Sequence, residues 1–584
     1  MKLKKRLAFP QFPTWFVTLM ICCLALLFAG LRLWLVQAQN LRYQGFNVHD
    51  DMLFVQLAMN VRDTGWFGPF TNLTLAKGPF YPFFLAGNSL LGLPLLLTQN
   101  VLYILSVACI CYAVRPLIKN DAITFGMFVL LLFQPASLDA DANNRVLRAA
   151  PSIFLSLFTL AGLIKAFSTK LTLLSAIFLG PMTGLALAAF CLNREDAIWL
   201  APAVLLILGA SWGIQLSQRR ALRPLFTFTT GFVCFLLGPI LAVMLINAHF
   251  YQLFTITEFQ HSAFPAAYGA LLRVRPAQRM QYIPVTASTR YLLYSVSPTF
   301  REIAYPLEVY FAQGWAENSV DITGLPPEAK EIAGGWWMWA LRDGVSGAGH
   351  YESANTAARY YFRLAQEINS LCDSGKLMCF KPHASMTPVL HVDDVFRIVP
   401  GFFQFFVSYF TSLKFSVYGE ASSGDYALLQ YQTITHETFQ VNADAAVTSW
   451  QDASLNDKKL FVLDSIIGIF QRLMLPIVLL GIAGTFYSIL QKDVDSVIEL
   501  GLFASAMTLL VIVTIIHFTS FPAFGTLYLN ALYPFLIISS ILSITRTYRL
   551  IRKKLLLQSF HKAKLRIIHK GFDDLFRVHF MSQD

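Results

Sequence analysis

The sequence predicts a mainly α-helical, polytopic membrane protein with about ten transmembrane helices and one large domain outside the bilayer. Three observations predict it. Hydrophobic residues fill 55% of the 584 positions and charged residues only 14%, with a mean hydropathy of +0.53, which is far more apolar than an ordinary soluble chain. Apolar runs recur at lengths near the ~20 residues that cross ~30 Å of hydrocarbon. The positive excess sits at the two ends: Lys2 to Arg6 hold four cations and no acid, and residues 546–584 hold ten Lys or Arg against three acids, together the whole net charge of +11. Basic ends beside apolar spans mark cytoplasmic flanks and exclude a nucleic-acid surface.

The spans fall at 14–36, 97–116, 122–138, 149–167, 172–191, 197–214, 225–247, 468–490, 497–516 and 525–545. The first is long and lacks a small-residue cleavage site, so it is an anchor rather than a removed signal. The basic loops RPLIKND (115–121), KAFSTK (165–170), QRRALRP (218–224) and RTYRLIRKK (546–554) all fall on the side of the N-terminus, so one topology satisfies them all. The same parity puts NVHDD…AKGP (47–79), LDADANNRVLR (138–148), LNREDA (192–197), an insert at 248–467 and HFTSFPAFGT (517–526) outside. The segment 79–94 is apolar but broken by Pro79, Pro82, Gly87, Gly92 and Pro94, and reads as a helix lying in or dipping into the outer leaflet. Four units result: a transmembrane module at 1–247 with an external acidic loop at 37–96, an extracytoplasmic α or α+β domain at 248–467, C-terminal transmembrane helices at 468–545 and a basic cytoplasmic tail at 546–584.

Within the insert, YESANTAARYYFRLAQEINSLC (351–372) has helical periodicity and PGFFQFFVSYF (400–410) reads as an interfacial helix. Trp336, Trp337 and Trp339 suit a core or interfacial role better than sugar stacking. In the tail, 548–570 suits a helix on the anionic inner leaflet or a solvated basic segment. Cys22, Cys23, Cys109, Cys111, Cys191 and Cys234 lie in or at the ends of spans, where a thiol behaves as a small apolar group. Cys372 and Cys379, in the external insert, are expected to form a disulfide in an oxidising compartment.

The polar groups that carry chemistry share the outer face. Asp50 and Asp51 precede an amphipathic run, MLFVQLAMNVRDTGWF, that holds them at the lipid boundary. Asp139 and Asp141 open the next external loop with Arg145 and Arg148 following, and Arg194, Glu195 and Asp196 open the one after. Three acid-bearing rims on one membrane face suggest a site rather than solvated loops. The external His residues are scattered with no metal-ligand spacing, and GASWG (209–213) lies in a span with no preceding strand, so it is no nucleophile elbow.

The acidic pair in DDMLFVQLA, the AKGPFYPFFLA element opening a broken helix, the DAD of the second external loop and the Arg-Glu of the third resemble the GT-C lipid-dependent glycosyltransferases. That group includes protein O-mannosyltransferases, the lipid A aminoarabinose transferase and arabinosyltransferases. Gly78 stands where the commoner element has a proline, and the insert matches no known module. The resemblance implies a hexosyl- or pentosyltransferase that moves a sugar from a polyprenyl-phosphate donor to an acceptor hydroxyl on a glycan, lipid or protein, with inversion. It would work in a bacterial inner (plasma) membrane, with the site and large domain on the periplasmic or extracellular side. By analogy Asp50 is the base and Asp51 an orienting or metal-binding partner. Asp139 and Asp141 would hold a divalent ion (magnesium, manganese or calcium) beside the phosphate, and Lys77, Arg145, Arg148 and Arg194 would contact that phosphate. Two other classes fit the architecture: a transporter or flippase, which would place charges and broken helices mid-bilayer in repeated halves, and an oligosaccharide ligase or polymerase, which would rely on basic and His residues of a large external loop.

Overall fold

The structure is a computed structural model that describes residues 13–580 except 43, 169–170, 219–221, 384, 388, 420–421, 423–426 and 439–449. The basic segment Lys2 to Arg6, with Lys170, Arg219 and Arg220 of the basic loops, lies outside the described residues. Among those described, extended pairing is limited to isolated bridges such as Arg42 with Arg145 and Val274 with Cys379. The described part of the 248–467 segment, read from sequence as α or α+β, is therefore helical.

The chain opens with α1 (Thr14–Val36), then α2 (Asp51–Thr64), which stops where Gly65 takes a left-handed φ of 82°. After α3 (Phe80–Leu91) and the turn Gly92–Pro94 comes α4 (Leu95–Ile118). Next are α5 (Asp121–Leu132), α6 (Ala149–Ser168), α7 (Leu173–Asn193), α8 (Ala201–Ser217) and α9 (Arg223–Tyr251). The principal helices of the 248–467 segment are α10 (Ala263–Arg273), α11 (Gly334–Gly347), α12 (Ala354–Asp373) and α13 (Val392–Thr411). The chain returns through α14 (Trp450–Leu490), α15 (Ser496–Thr519) and α16 (Leu532–Phe580). The domain boundary read at residue 467 thus falls inside α14.

Among the described residues, eight helices are long and apolar enough to cross a membrane: α1, α4, α6, α7, α8 with its leading turn, α9, α14 and α15. The other two expected spans differ for physical reasons. The run 122–138 breaks after α5 because Pro135 follows; Gln134 turns its side chain back onto the Ala136 N–H at 2.9 Å and a four-residue helix, Pro135–Leu138, begins. The run 525–545 starts as a separate turn, Thr526–Leu529, and continues as α16, whose first stretch is buried in the bundle rather than facing lipid. Polar side chains are tolerated there because they are satisfied: Ser543 donates to the Gly481 carbonyl at 2.7 Å and Thr547 to that of Gly484 at 3.1 Å. A Cβ on either glycine would press into α16, so the small residues set the α14–α16 approach.

The loops sort into two networks. In one, Arg546 reaches Glu499 (2.7 Å), Asp495 (3.2 Å) and Asp493 (3.3 Å), while Arg549 donates to the Leu117 carbonyl (2.6 Å). The other gathers the acid-bearing loops beneath the helices of the 248–467 segment. There α10 packs on α12, and Cys372 is bonded to Cys379. The Phe-rich segment belongs to the 20-residue α13, which sets Phe405 against His517, Phe518 and Phe524 (4.6, 5.6 and 4.3 Å between rings).

Candidate active site

Asp50 and Asp51 straddle the start of α2. An Asp at the N-cap ordinarily accepts from the first-turn amides, but Asp50 leaves the α2 amides uncapped and pairs instead with Lys77 Nζ at 2.8 Å. Its side chain is 47% exposed. Asp51 points the opposite way: it is completely buried and gripped along one guanidinium edge of Arg145, Nη2 donating to Oδ2 and Nε to Oδ1 at 3.3 Å. The pair is thus split between a cavity and the protein interior.

Lys77 is held by geometry that Gly78 permits. The Gly78 N–H donates to Glu195 Oε1 at 3.1 Å, and a Cβ there would overlap the Leu192 carbonyl oxygen. The third external loop therefore lies directly on the Lys77-Gly78 backbone, and only glycine fits. Arg148 closes the contact, donating to Glu195 Oε1 at 2.8 Å and to the Asn193 carbonyl at 3.2 Å. Arg194 grips Asp196 with two bonds of 2.7 and 2.6 Å. Three external loops distant in sequence are locked into one charged floor in which four cations, Lys77, Arg145, Arg148 and Arg194, each face a carboxylate.

This arrangement sets the protonation states. Burial disfavours the Asp50 charge, but Lys77, with Arg145 and Arg148 behind it, outweighs burial and holds the carboxyl below its ordinary range. Glu195 is likewise held low, with Arg148 and Lys77 overcoming its burial. Both are ionised at neutral pH.

Above the floor opens a cavity of about 1120 Å³. Asp50, Lys77 and Tyr528 face it from one side, and His49, Trp315 and Trp339 from the other. Lys77 Nζ stands 5.1 Å from the Trp339 ring centre, and the His49 ring sits between Trp315 (4.9 Å) and Trp339 (5.1 Å). Asp343 organises this wall, accepting from Asn72 Nδ2 at 2.8 Å and Trp315 Nε1 at 2.9 Å, with His49 Nε2 at 3.8 Å. The tryptophans divide: Trp337 is fully buried, whereas Trp336 and Trp339 line the cavity.

Asp139 does not reach the cavity. It is buried, one oxygen accepting from the Ala142 N–H at 3.0 Å and the other from the Ser416 N–H at 2.9 Å. A carboxylate with both oxygens on amide hydrogens caps a helix start rather than ligating an ion. Asp141 is exposed beside it, and among the described residues no three His, Cys, Asp or Glu side chains converge as metal ligands. Asp139 and Asp141 therefore do not fit the metal role expected of them, and Asp51, sealed against Arg145, does not fit contact with an acceptor.

No protein-family model matches the chain, and no curated protein does. Among solved structures, the chain is similar to the oligosaccharyltransferase of Archaeoglobus fulgidus in its apo form, at 12% identity over 94% of this chain and 53% of that one, with a TM-score of 0.34. A second is the archaeal oligosaccharyltransferase AglB from Archaeoglobus fulgidus, in complex with an inhibitory peptide and a dolichol-phosphate, at 10% identity over 74% of this chain and 65% of that one, with a TM-score of 0.27. The chain spans about half the length of the first.

Sequence reading missed Trp315, Asp343 and Tyr528 as cavity residues. They lie hundreds of positions from Asp50 and carry no motif. The one local signal is the WWMWALRD stretch, where an acid follows three tryptophans at helical spacing.

Proposed function

We propose that the chain is a GT-C-type glycosyltransferase, transferring a hexosyl or pentosyl group from a polyprenyl-phosphate donor to an acceptor hydroxyl at the outer face of a bacterial plasma membrane. The observation that carries this reading is the position of Asp50: an ionised carboxylate on a large cavity at the membrane-helix ends, with a lysine in direct contact.

The chemistry follows from that contact. The acceptor oxygen attacks the anomeric carbon from the face opposite the phosphate, the carbon–oxygen bond to phosphate breaks, and polyprenyl phosphate leaves with the electron pair. Asp50 takes the hydroxyl proton as the new glycosidic bond forms, and one displacement inverts the anomeric centre. In the resting site Lys77 depresses the basicity of Asp50. An arriving donor phosphate competes for Lys77, which releases Asp50 to act as a base when a donor is in place and lets the ammonium stabilise the leaving group. Arg148 stands behind Lys77 through Glu195, while Arg145 and Arg194 position the floor through Asp51 and Asp196. Trp339, Trp315 and Tyr528 offer ring faces and a hydroxyl to the sugars. No step is routed through a metal ion.

Transporters use charged groups mid-bilayer; here the catalytic charges gather at one end, which favours a transferase. The test is reconstitution of the full chain with a panel of radiolabelled polyprenyl-phosphate sugars and membrane acceptors. Acceptor-dependent release of polyprenyl phosphate is expected from one donor, falling by roughly 10²–10⁴ in Asp50→Asn. Undiminished release by Asp50→Asn, or no release from any donor, would overturn the proposal.

A further inference from the structure

A second cavity, of about 320 Å³, lies outside the site described above and shares none of its lining residues. Its walls are the segment after α10, the start of α13 and the outer end of α15. Three arginines face it: Arg275, Arg279 and Arg397. Arg279 is neutralised by Asp394, with both oxygens at 2.7 Å. Arg275 has its guanidinium 4.7 Å above the Phe380 ring and, among the described residues, no acidic partner; Arg397 likewise has none. The cavity therefore carries a surplus of two positive charges with forked donors free to grip an anion.

Its location identifies the anion. Phe518 and Thr519, which form part of the lining, are the last residues of the membrane-crossing helix α15, so the cavity opens at the level of lipid headgroups. From its rim α13 runs along α14 and α15, leaving Phe396, Val399 and Phe403 exposed at 75%, 52% and 65%. An amphipathic helix with such a face lies in the interfacial layer with its rings among acyl chains. A cationic cavity beside an apolar face at that depth matches a ligand with a phosphate head and a hydrocarbon tail.

We propose that this cavity holds the phosphate of an anionic bilayer phospholipid, with Arg275 and Arg397 on the headgroup and its chains along α13, fastening the external domain to the membrane. The proposal is independent of the glycosyl-transfer reading, since it uses neither Asp50 nor its cavity.

The test is native mass spectrometry of the full chain in neutral detergent, titrated with phosphatidylglycerol, phosphatidylcholine and, separately, inorganic phosphate. One phosphatidylglycerol is expected to bind in preference to phosphatidylcholine, with affinity falling roughly tenfold or more in the double variant Arg275→Gln, Arg397→Gln and largely kept in Arg275→Lys, Arg397→Lys. Both side chains are exposed, so melting temperature is expected to be unchanged; if the double variant melts early, the two single Gln variants serve, each with an intermediate loss. Equal binding of the two lipids, undiminished binding by the Gln variants, or inorganic phosphate displacing the lipid as a free-anion ligand would overturn the proposal.

Discussion

Asp50 and Asp51 are neighbours in the chain and strangers in environment: the first is about half exposed beside Lys77, and the second is sealed against Arg145. Their substitutions are expected to separate accordingly. Asp50→Asn costs turnover and leaves the melting temperature close to wild type. Asp51→Asn leaves Arg145 largely buried without its counter-charge and is expected to destabilise by about 3 kcal/mol, read by denaturation in detergent and partly relieved by adding Arg145→Gln. Asp139 offers a test by pH. Burial raises its carboxyl from 3.8 to about 6, so the native state holds a proton that the unfolded chain gives up. The stability this contributes is complete below the unfolded value and is lost as pH rises through the folded one. Wild type is therefore expected to lose melting temperature relative to Asp139→Asn between about pH 4 and 6; a constant difference across that window would contradict the assignment. The sequence marked these acids but not their fates, because a one-residue step around a helix start decides which side faces water and which faces the core.

At the scale of elements, the turn carrying Lys77 and the third external loop form one unit. Gly78 looked from sequence like a departure from a proline motif; packed against the Leu192 carbonyl it is the residue that lets the loops meet. Gly78→Ala is expected to push the Glu195 loop away, lower the melting temperature by several degrees and reduce turnover without touching a reacting group. Unchanged turnover would show that the Gly78–Glu195 contact is dispensable. Short apolar helices were harder to read than long ones. The break at Gln134–Pro135 and the burial of α16 depend on what packs alongside, and hydropathy alone does not report it. Asp343 and Tyr528 escaped notice for the same reason: their roles come from tertiary placement, not from local pattern.

For the whole molecule, composition and the spacing of apolar runs were enough to predict a polytopic helical bundle, because length and hydropathy are what a bilayer selects. The cavity's membership was not legible, since it draws on the loop before α2, the turn carrying Lys77, α11 and the segment after α15. Sugar transfer at the outer face requires that cavity to face the outer aqueous phase while the Arg546 network faces the cytoplasm. The most direct measurement is labelling of single cysteines by a membrane-impermeant maleimide in spheroplasts, with the six unpaired cysteines replaced. Asn318→Cys, exposed on the cavity rim, is predicted to label in sealed spheroplasts, and Lys492→Cys, exposed between α14 and α15, only after permeabilisation. The reverse pattern would put Asp50 on the cytoplasmic side and contradict transfer at the outer face.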